Sequence, residues 1–435
     1  MSSTIANTMG TASDPALPLE SDVELNSTGK WLVRSSVISV LFLGQIAYNI
    51  GEFPLALDLV CYALTVSYLL VSGHASLSVP SLFIYISAIA LAAFRIPFAT
   101  SSTSWSSLLL LAALYAPFCF RFAKRQDLEP VLNYTLKIYV LAASTIAAIA
   151  VAQFALVNGA KIKALTNIYF VLPSSIRGAG FYTFLREEGG IIKANGFFLR
   201  EAADLSLVTG LALLIELRST KRPIILGLLS AGLIFSYSGS GIIAVFAGLL
   251  LPKTFGRVPV FVASAAALLL LITCLYGLDL PFLKPWFNRL SEFGQTGTSG
   301  YARFVAPMEM VQISFDGGVL KAWLGNGAGS FFRDLALGKF RYEIADPTWA
   351  KATYEYGLLG SLLFLTLVIM RLYSSSLKVE ACHFLLISWI SFSFLLKPGY
   401  SSLIWLLTLV PNIGRTSGGA AAEWPVQRPL SHHPQ

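Results

Sequence analysis

Residues 134–157 read YTLKIYVLAASTIAAIAVAQFALV. One charged side chain, Lys137, falls in this stretch. As an α-helix it would run about 36 Å at the standard rise, enough to cross the roughly 30 Å hydrocarbon core of a bilayer. A soluble domain has little use for so long an apolar rod.

The rest of the chain follows suit. Similar runs occupy Trp31–Ile50, Phe53–Val71, Leu77–Phe94, Trp105–Phe120, Ala202–Leu217, Pro223–Tyr237, Ser240–Leu251 and Val258–Leu278. Three more lie at Tyr356–Met370, His383–Leu396 and Ser401–Val410, making twelve in all. The shortest, around Tyr237–Ser240 and at the end, leave ten or eleven spans as the lower count. Charged residues are 12% of the chain, against roughly 25% in a soluble domain, and the mean hydropathy is +0.68. The expected fold is an all-α polytopic membrane protein of about twelve helices, multi-pass in a bacterial inner membrane.

Basic residues in short loops set the expected orientation. Arg121, Lys124 and Arg125 follow the fourth run, and Arg218, Lys221 and Arg222 follow the sixth. Lys253 and Arg257 follow the eighth, and Arg371 and Lys378 the tenth. All fall on one side if the N-terminus is cytoplasmic, which places both termini there. The net charge of +8 then reflects this loop bias and gives no reason to expect nucleic acid. Residues 1–30 read as a disordered cytoplasmic tail, not a signal peptide, because no basic patch with a short apolar run opens them. Residues 412–435 read as a second cytoplasmic tail around a membrane domain of residues 31–411. Cys61, Cys119, Cys274 and Cys382 lie in or beside apolar runs without CxxC spacing and read as core residues.

Two long loops, 158–201 and 282–354, fall on the outer, periplasmic face. The first holds Lys161, Lys163, Arg177, Arg186, Lys193 and Arg200. The second holds Lys284, Arg289, Arg303, Lys321, Arg333, Lys339, Arg341 and Lys351. Local salt bridges and lipid headgroups would occupy some of them. Several arginines at headgroup depth also suit a lipid-linked diphosphate, because guanidinium grips phosphate through parallel hydrogen bonds. A nearby carboxylate could deprotonate a sugar hydroxyl while the cations stabilise the departing diphosphate. No phosphate-binding GxxxxGK[ST], GxSxG or HExxH motif and no paired Cys/His metal set is present, and no cofactor is expected.

The sharpest pattern runs from Gly300 to Gly360. It contains Gly-Tyr-Ala-Arg303, then Trp-Leu-Gly-Asn-Gly-Ala-Gly-Ser-Phe at Trp323–Phe331, then Asp-Pro-Thr-Trp-Ala-Lys-Ala-Thr-Tyr-Glu-Tyr-Gly-Leu-Leu-Gly at Asp346–Gly360. Glycines at 325, 327 and 329 permit a tight turn with exposed N–H groups. Glu355 could serve as a base or simply face the positive N-terminus of its own helix.

This segment resembles the Wzy / O-antigen ligase superfamily of membrane glycosyltransferases. Arg303, Leu324–Phe331 and Glu355–Gly360 match its Gly-Arg start, its Leu-Gly-x-Gly-x-Gly-x-Phe turn and its Glu-x-Gly-x-x-Gly helix, and the hydropathy pattern is similar over roughly residues 30–411. The resemblance implies a GT-C-like helical fold and transfer of a glycan from an undecaprenyl-diphosphate-linked oligosaccharide at the periplasmic face. O-antigen ligases usually carry His-Asn before that helix. Asp346-Pro347 stands there instead, which favours an exopolysaccharide repeat-unit polymerase of the xanthan type over a ligase. A lipid-linked sugar transporter or flippase is the other alternative. On this reading Arg303, Asp346 and Glu355 are the catalytic candidates. Arg177, Arg186, Arg200, Arg333, Arg341 and Lys351 are the substrate-binding ones, and no Arg-x10-Gly spacing singles out one of the first three. A flippase and a chain-length regulator are the expected protein partners. Asp58, Arg95 and Asp204, charges within or at the ends of runs, stand behind these.

Overall fold

The computed structural model describes residues 27–50, 53–99, 102–123, 128–178, 187–188, 191–253, 256, 258–277, 292–298, 300–342 and 344–412. Arg186, both terminal tails beyond these limits, and residues 278–291 of the second loop lie outside the described residues.

Each of the twelve apolar runs carries a helix. The first nine are α1 (Ser27–Phe42), α2 (Leu57–Val71), α3 (Val79–Arg95), α4 (Trp105–Tyr115), α5 (Glu129–Asn158), α6 (Ala202–Leu217), α7 (Pro223–Phe235), α8 (Gly239–Leu250) and α9 (Val258–Gly277). Three short helices fold within the second loop: α10 (Pro307–Asp316), α11 (Val319–Leu324) and α12 (Ser330–Ala336). Then come α13 (Thr348–Tyr373), α14 (Val379–Ser391) and α15 (Pro398–Leu407). Among the described residues, four helical segments are long and apolar enough by themselves to cross a membrane: Val79–Phe98, Glu129–Asn158, Val258–Gly277 and Thr348–Tyr373. The protein is thus mostly helical, with apolar helices fit to span a bilayer.

It is not purely helical. The first two runs break early: α1 stops at Phe42, and β1 (Ala47–Ile50) pairs antiparallel with β2 (Phe53–Ala56). Pro54 accounts for the late start of α2, since the residue before a proline is driven out of helical geometry. Two further short antiparallel pairs join β3 (Ala75–Leu77) to β4 (Phe120–Phe122) and β5 (Glu187–Glu188) to β6 (Ile191–Ile192).

The core lies between the helices. α6 packs on α5, α7, α8 and α14, while α13 packs on α3, α10, α11 and α14. The last helix, drawn from one of the weakest apolar runs, is the most enclosed. α15 touches α1, α2, α4 and α5, and Gly399 through Leu407 are all buried. A helix buried all round needs only the thickness of its neighbours, which is why a short run suffices. Arg371, 1% exposed, ties its end to β4: Nε donates to Thr408 Oγ1 at 2.8 Å, Nη2 to the Trp405 carbonyl at 3.1 Å, and Nη1 to the Phe120 carbonyl at 2.6 Å. A residue that marks orientation in the sequence thus also serves backbone carbonyls in the core. Of the cysteines, Cys119 and Cys382 are buried and Cys61 half-buried, but Cys274 is exposed on α9. That helix has no buried side chain among its described residues, and among them it packs only lightly, on α8.

The ends of the bundle differ. Arg218, Lys253 and Lys378, from three of the basic short loops, meet around Glu380: Arg218 Nε lies 3.1 Å from the carboxylate, Lys253 also bonds it, and Lys378 donates to the Arg218 carbonyl. The fourth joins them through Arg121, which donates to the Met370 carbonyl at 3.3 Å. The two long loops emerge at the opposite end and meet each other there, through Arg303 and Glu201.

Candidate active site

The turn at Trp323–Phe331 sits on a break in α13. Gly357 inside that helix has φ 67° and ψ −174°, a conformation open essentially to glycine alone. The break leaves the Tyr354 and Glu355 carbonyls without helical partners. Asn326 N donates to the Tyr354 carbonyl and Gly327 N to the Glu355 carbonyl, both at 2.8 Å. Gly325, Gly327 and Gly329 have φ of 77°, 98° and 71°. The two segments meet backbone to backbone: a Cβ on Gly357 would lie 2.3 Å from the Trp323 carbonyl carbon.

Three buried charged side chains secure this crossing. Arg95, at the end of α3 and 2% exposed, donates from Nε to the Gly325 carbonyl at 2.7 Å and from Nη1 to the Phe98 carbonyl at 2.8 Å. Glu355 is fully buried, and its Oε1 accepts the Phe331 N–H at 3.3 Å. The charge of the Lys351 ammonium acts on the same carboxylate. Glu355 therefore faces the N-terminus of α12, not that of its own helix. Asp334 is equally buried; it accepts the Tyr354 hydroxyl at 2.7 Å and pairs with Lys339 at 2.6 Å.

Asp346 and Lys351 stand at the entry to α13. Their ion pair is 2.9 Å long, with Lys351 almost buried and Asp346 23% exposed. The Lys351 ammonium also lies 3.9 Å from the centre of the Phe332 ring, a favourable cation–π position. Lys351 is thus a partner of Asp346 and not an open phosphate contact.

Arg303 occupies one turn of π-helix, Tyr301–Val305, a geometry that recurs at functional sites. Its Nη2 donates to Glu201 Oε2 at 3.0 Å, and both side chains reach solvent, at 24% and 46%. Partial burial, then the nearby Tyr342 and Glu309, hold the neighbouring Tyr301 phenol above its ordinary range. A second tie, Asp204 to Lys397 at 2.5 Å, joins the start of α6 to the start of α15. The charges of Lys397 and Arg200 both act on buried Asp58. Glu201 and Lys397 were not among the candidates read from the sequence, and Asp204 stood only behind the first choices; the one local signal was the acidic pair flanking the start of the sixth apolar run.

The remaining candidates divide. Arg333 donates to the Gly329 carbonyl at 2.9 Å and is exposed. Arg341 is 84% exposed, 4.0 Å from Glu309. Arg177 donates to the Leu172 carbonyl at 2.7 Å, with its guanidinium 4.8 Å from the centre of the Tyr169 ring. It makes no hydrogen bond or ion pair to Arg303, Asp346 or Glu355 among the described residues. Also among the described residues, no group of three or more His, Cys, Asp or Glu side chains could hold a metal ion. No protein-family model matches the chain, and no curated protein matches it.

Proposed function

We propose that this chain is a membrane glycosyltransferase that joins polyprenyl-diphosphate-linked oligosaccharide repeat units into an exopolysaccharide, working at the periplasmic face of the inner membrane. The observation that carries the reading is the Arg303–Glu201 pair: a half-exposed guanidinium at the meeting of the two long loops, above a bundle of apolar helices. The twelve helices would all cross or enter the bilayer in a GT-C-like arrangement, with both termini in the cytoplasm. A flippase would deliver the lipid-linked unit, and a chain-length regulator would act beside the enzyme.

In the proposed reaction the lipid diphosphate of the growing chain lies near Arg303, with exposed Arg333 and Arg341 within the same folded loop. Asp346, partly exposed and steadied by Lys351, accepts the proton from a hydroxyl of the incoming repeat unit. That oxygen bonds to the anomeric carbon, the carbon–oxygen bond to the diphosphate breaks, and the electron pair leaves with the phosphate. The guanidinium charge stabilises the leaving group, where charge grows in the transition state. Glu355, buried against the Phe331 amide, positions the glycine turn.

The test is the glycan profile of strains carrying Arg303→Ala or Asp346→Asn at normal protein levels. Lipid-linked single repeat units should accumulate and polymer should disappear. Wild-type polymer from Arg303→Ala would remove Arg303 from the reaction. Polymer retained on the lipid but absent from its final acceptor would make the chain a ligase. An unchanged profile in a deletion strain would end the glycan reading.

A further inference from the structure

The end of the bundle away from both long loops holds a cleft of about 370 Å³, within the size range of small-molecule sites. Leu136, Leu214, Ile215 and Val410 form much of its apolar floor. Arg218, Lys378 and Glu129 stand at its polar rim. We propose that this cleft binds the headgroup of a zwitterionic aminophospholipid, with its phosphate against Arg218 and Lys378 and its ammonium against Glu129.

The rim chemistry supports that occupant. Glu380, which also lines the cleft, is already engaged by Arg218 Nε at 3.1 Å and by Lys253, so its charge is matched. The Arg218 side chain is 42% exposed, and its two Nη groups carry no hydrogen bond among the described residues. Lys378 spends one N–H on the Arg218 backbone carbonyl, with two N–H groups left. A guanidinium and an ammonium lining one cleft suit a phosphate. Glu129, exposed in the first turn of α5, has no ion pair among the described residues. It supplies the one negative charge that an anionic headgroup would avoid and a primary ammonium would seek.

The surroundings favour a membrane lipid over a soluble zwitterion. The cleft lies where α5 begins, where α6 ends and where α13 turns into α14. Helix ends of this kind place basic pockets at headgroup depth, and Leu136 of α5 and Leu214 of α6 line the cleft with apolar side chains, against which acyl chains would lie.

Native mass spectrometry of the full-length protein in detergent tests this. The probes are phosphatidylethanolamine, phosphatidylcholine and phosphatidylglycerol with identical acyl chains. The wild type should retain phosphatidylethanolamine about tenfold better than the other two. A quaternary ammonium cannot hydrogen-bond Glu129, and a glycerol headgroup brings no positive charge. Glu129→Gln should reduce phosphatidylethanolamine to the level of phosphatidylcholine, and Lys378→Met should weaken all three. Both changes touch exposed side chains, so the thermal midpoint should stay put. Equal retention of the three lipids by the wild type, a preference for phosphatidylglycerol, or indifference to both substitutions would overturn the proposal.

Discussion

Arg95 and Gly325 are 230 residues apart in the chain, yet the Arg95 Nε donates to the Gly325 carbonyl over 2.7 Å in a site sealed from solvent. One guanidinium from the end of a membrane-length helix thus anchors the turn on which the second long loop is built. Its other hydrogen bond, to the Phe98 carbonyl, stays within its own segment, so the contact to Gly325 is the tie that reaches across the fold.

Arg95→Ala should therefore destabilise the protein sharply. It strands the buried Gly325 carbonyl, which costs about 1–3 kcal/mol when left without a donor, and removes the donor from the part-buried Phe98 carbonyl. The thermal midpoint in detergent should fall, and protease should cut the 300–342 segment sooner. A midpoint within error of the wild type would show that the turn holds without this arginine.

Gly357→Ala and Gly338→Ala make a matched pair. Both glycines have positive φ, 67° and 69°. A Cβ at Gly357 would strike the Trp323 backbone at 2.3 Å, whereas nothing lies within 4 Å of one at Gly338. Gly338→Ala should cost only the left-handed backbone penalty, about 1 kcal/mol. Gly357→Ala should cost about 3 kcal/mol or more and lower the yield of folded protein. Equal melting temperatures for the two would contradict the close crossing.

Glu355→Gln separates positioning from catalysis. A glutamine oxygen can still accept the Phe331 N–H, so the glycine turn should survive and most polymerisation with it. Glu355→Ala should lose both stability and polymer. If Glu355→Gln keeps the wild-type melting curve yet makes no polymer, the carboxylate itself takes part in the reaction.

The Arg303–Glu201 pair is half-open to water, and exposed pairs typically couple by less than about 1 kcal/mol. A double-mutant cycle with Glu201→Gln and Arg303→Gln should find that small coupling in stability. The charge-reversed double variant, E201R with R303E, should melt near the wild type yet make no polymer, because the proposed diphosphate contact needs the positive charge on the π-helical turn. Restored polymer in that variant would mean the pair matters only as a strut between loops.

Hydropathy along the chain was enough to mark the helices, because burial in lipid acts on each stretch of about twenty residues locally and additively. Phe53–Val71 is over-extended as a helix because the effect of Pro54 on Phe53 outweighs its apolar character, and Trp31–Ile50 because its last four residues pair as a strand with Phe53–Ala56. The glycines at 325, 327 and 329 were legible as a tight turn, since their freedom at positive φ is a property of the residue itself. What that turn rests on was not legible. The break at Gly357, the reach of Arg95 to Gly325 and the burial of Glu355 against Phe331 depend on which segments pack together across long separations. The same holds for Glu201 beside Arg303 and for Arg371, whose charge indicated a side of the membrane and whose hydrogen bonds close the core. A side chain's type sets what it can bond; only the tertiary packing decides which backbone groups lose their own partners and come within its reach.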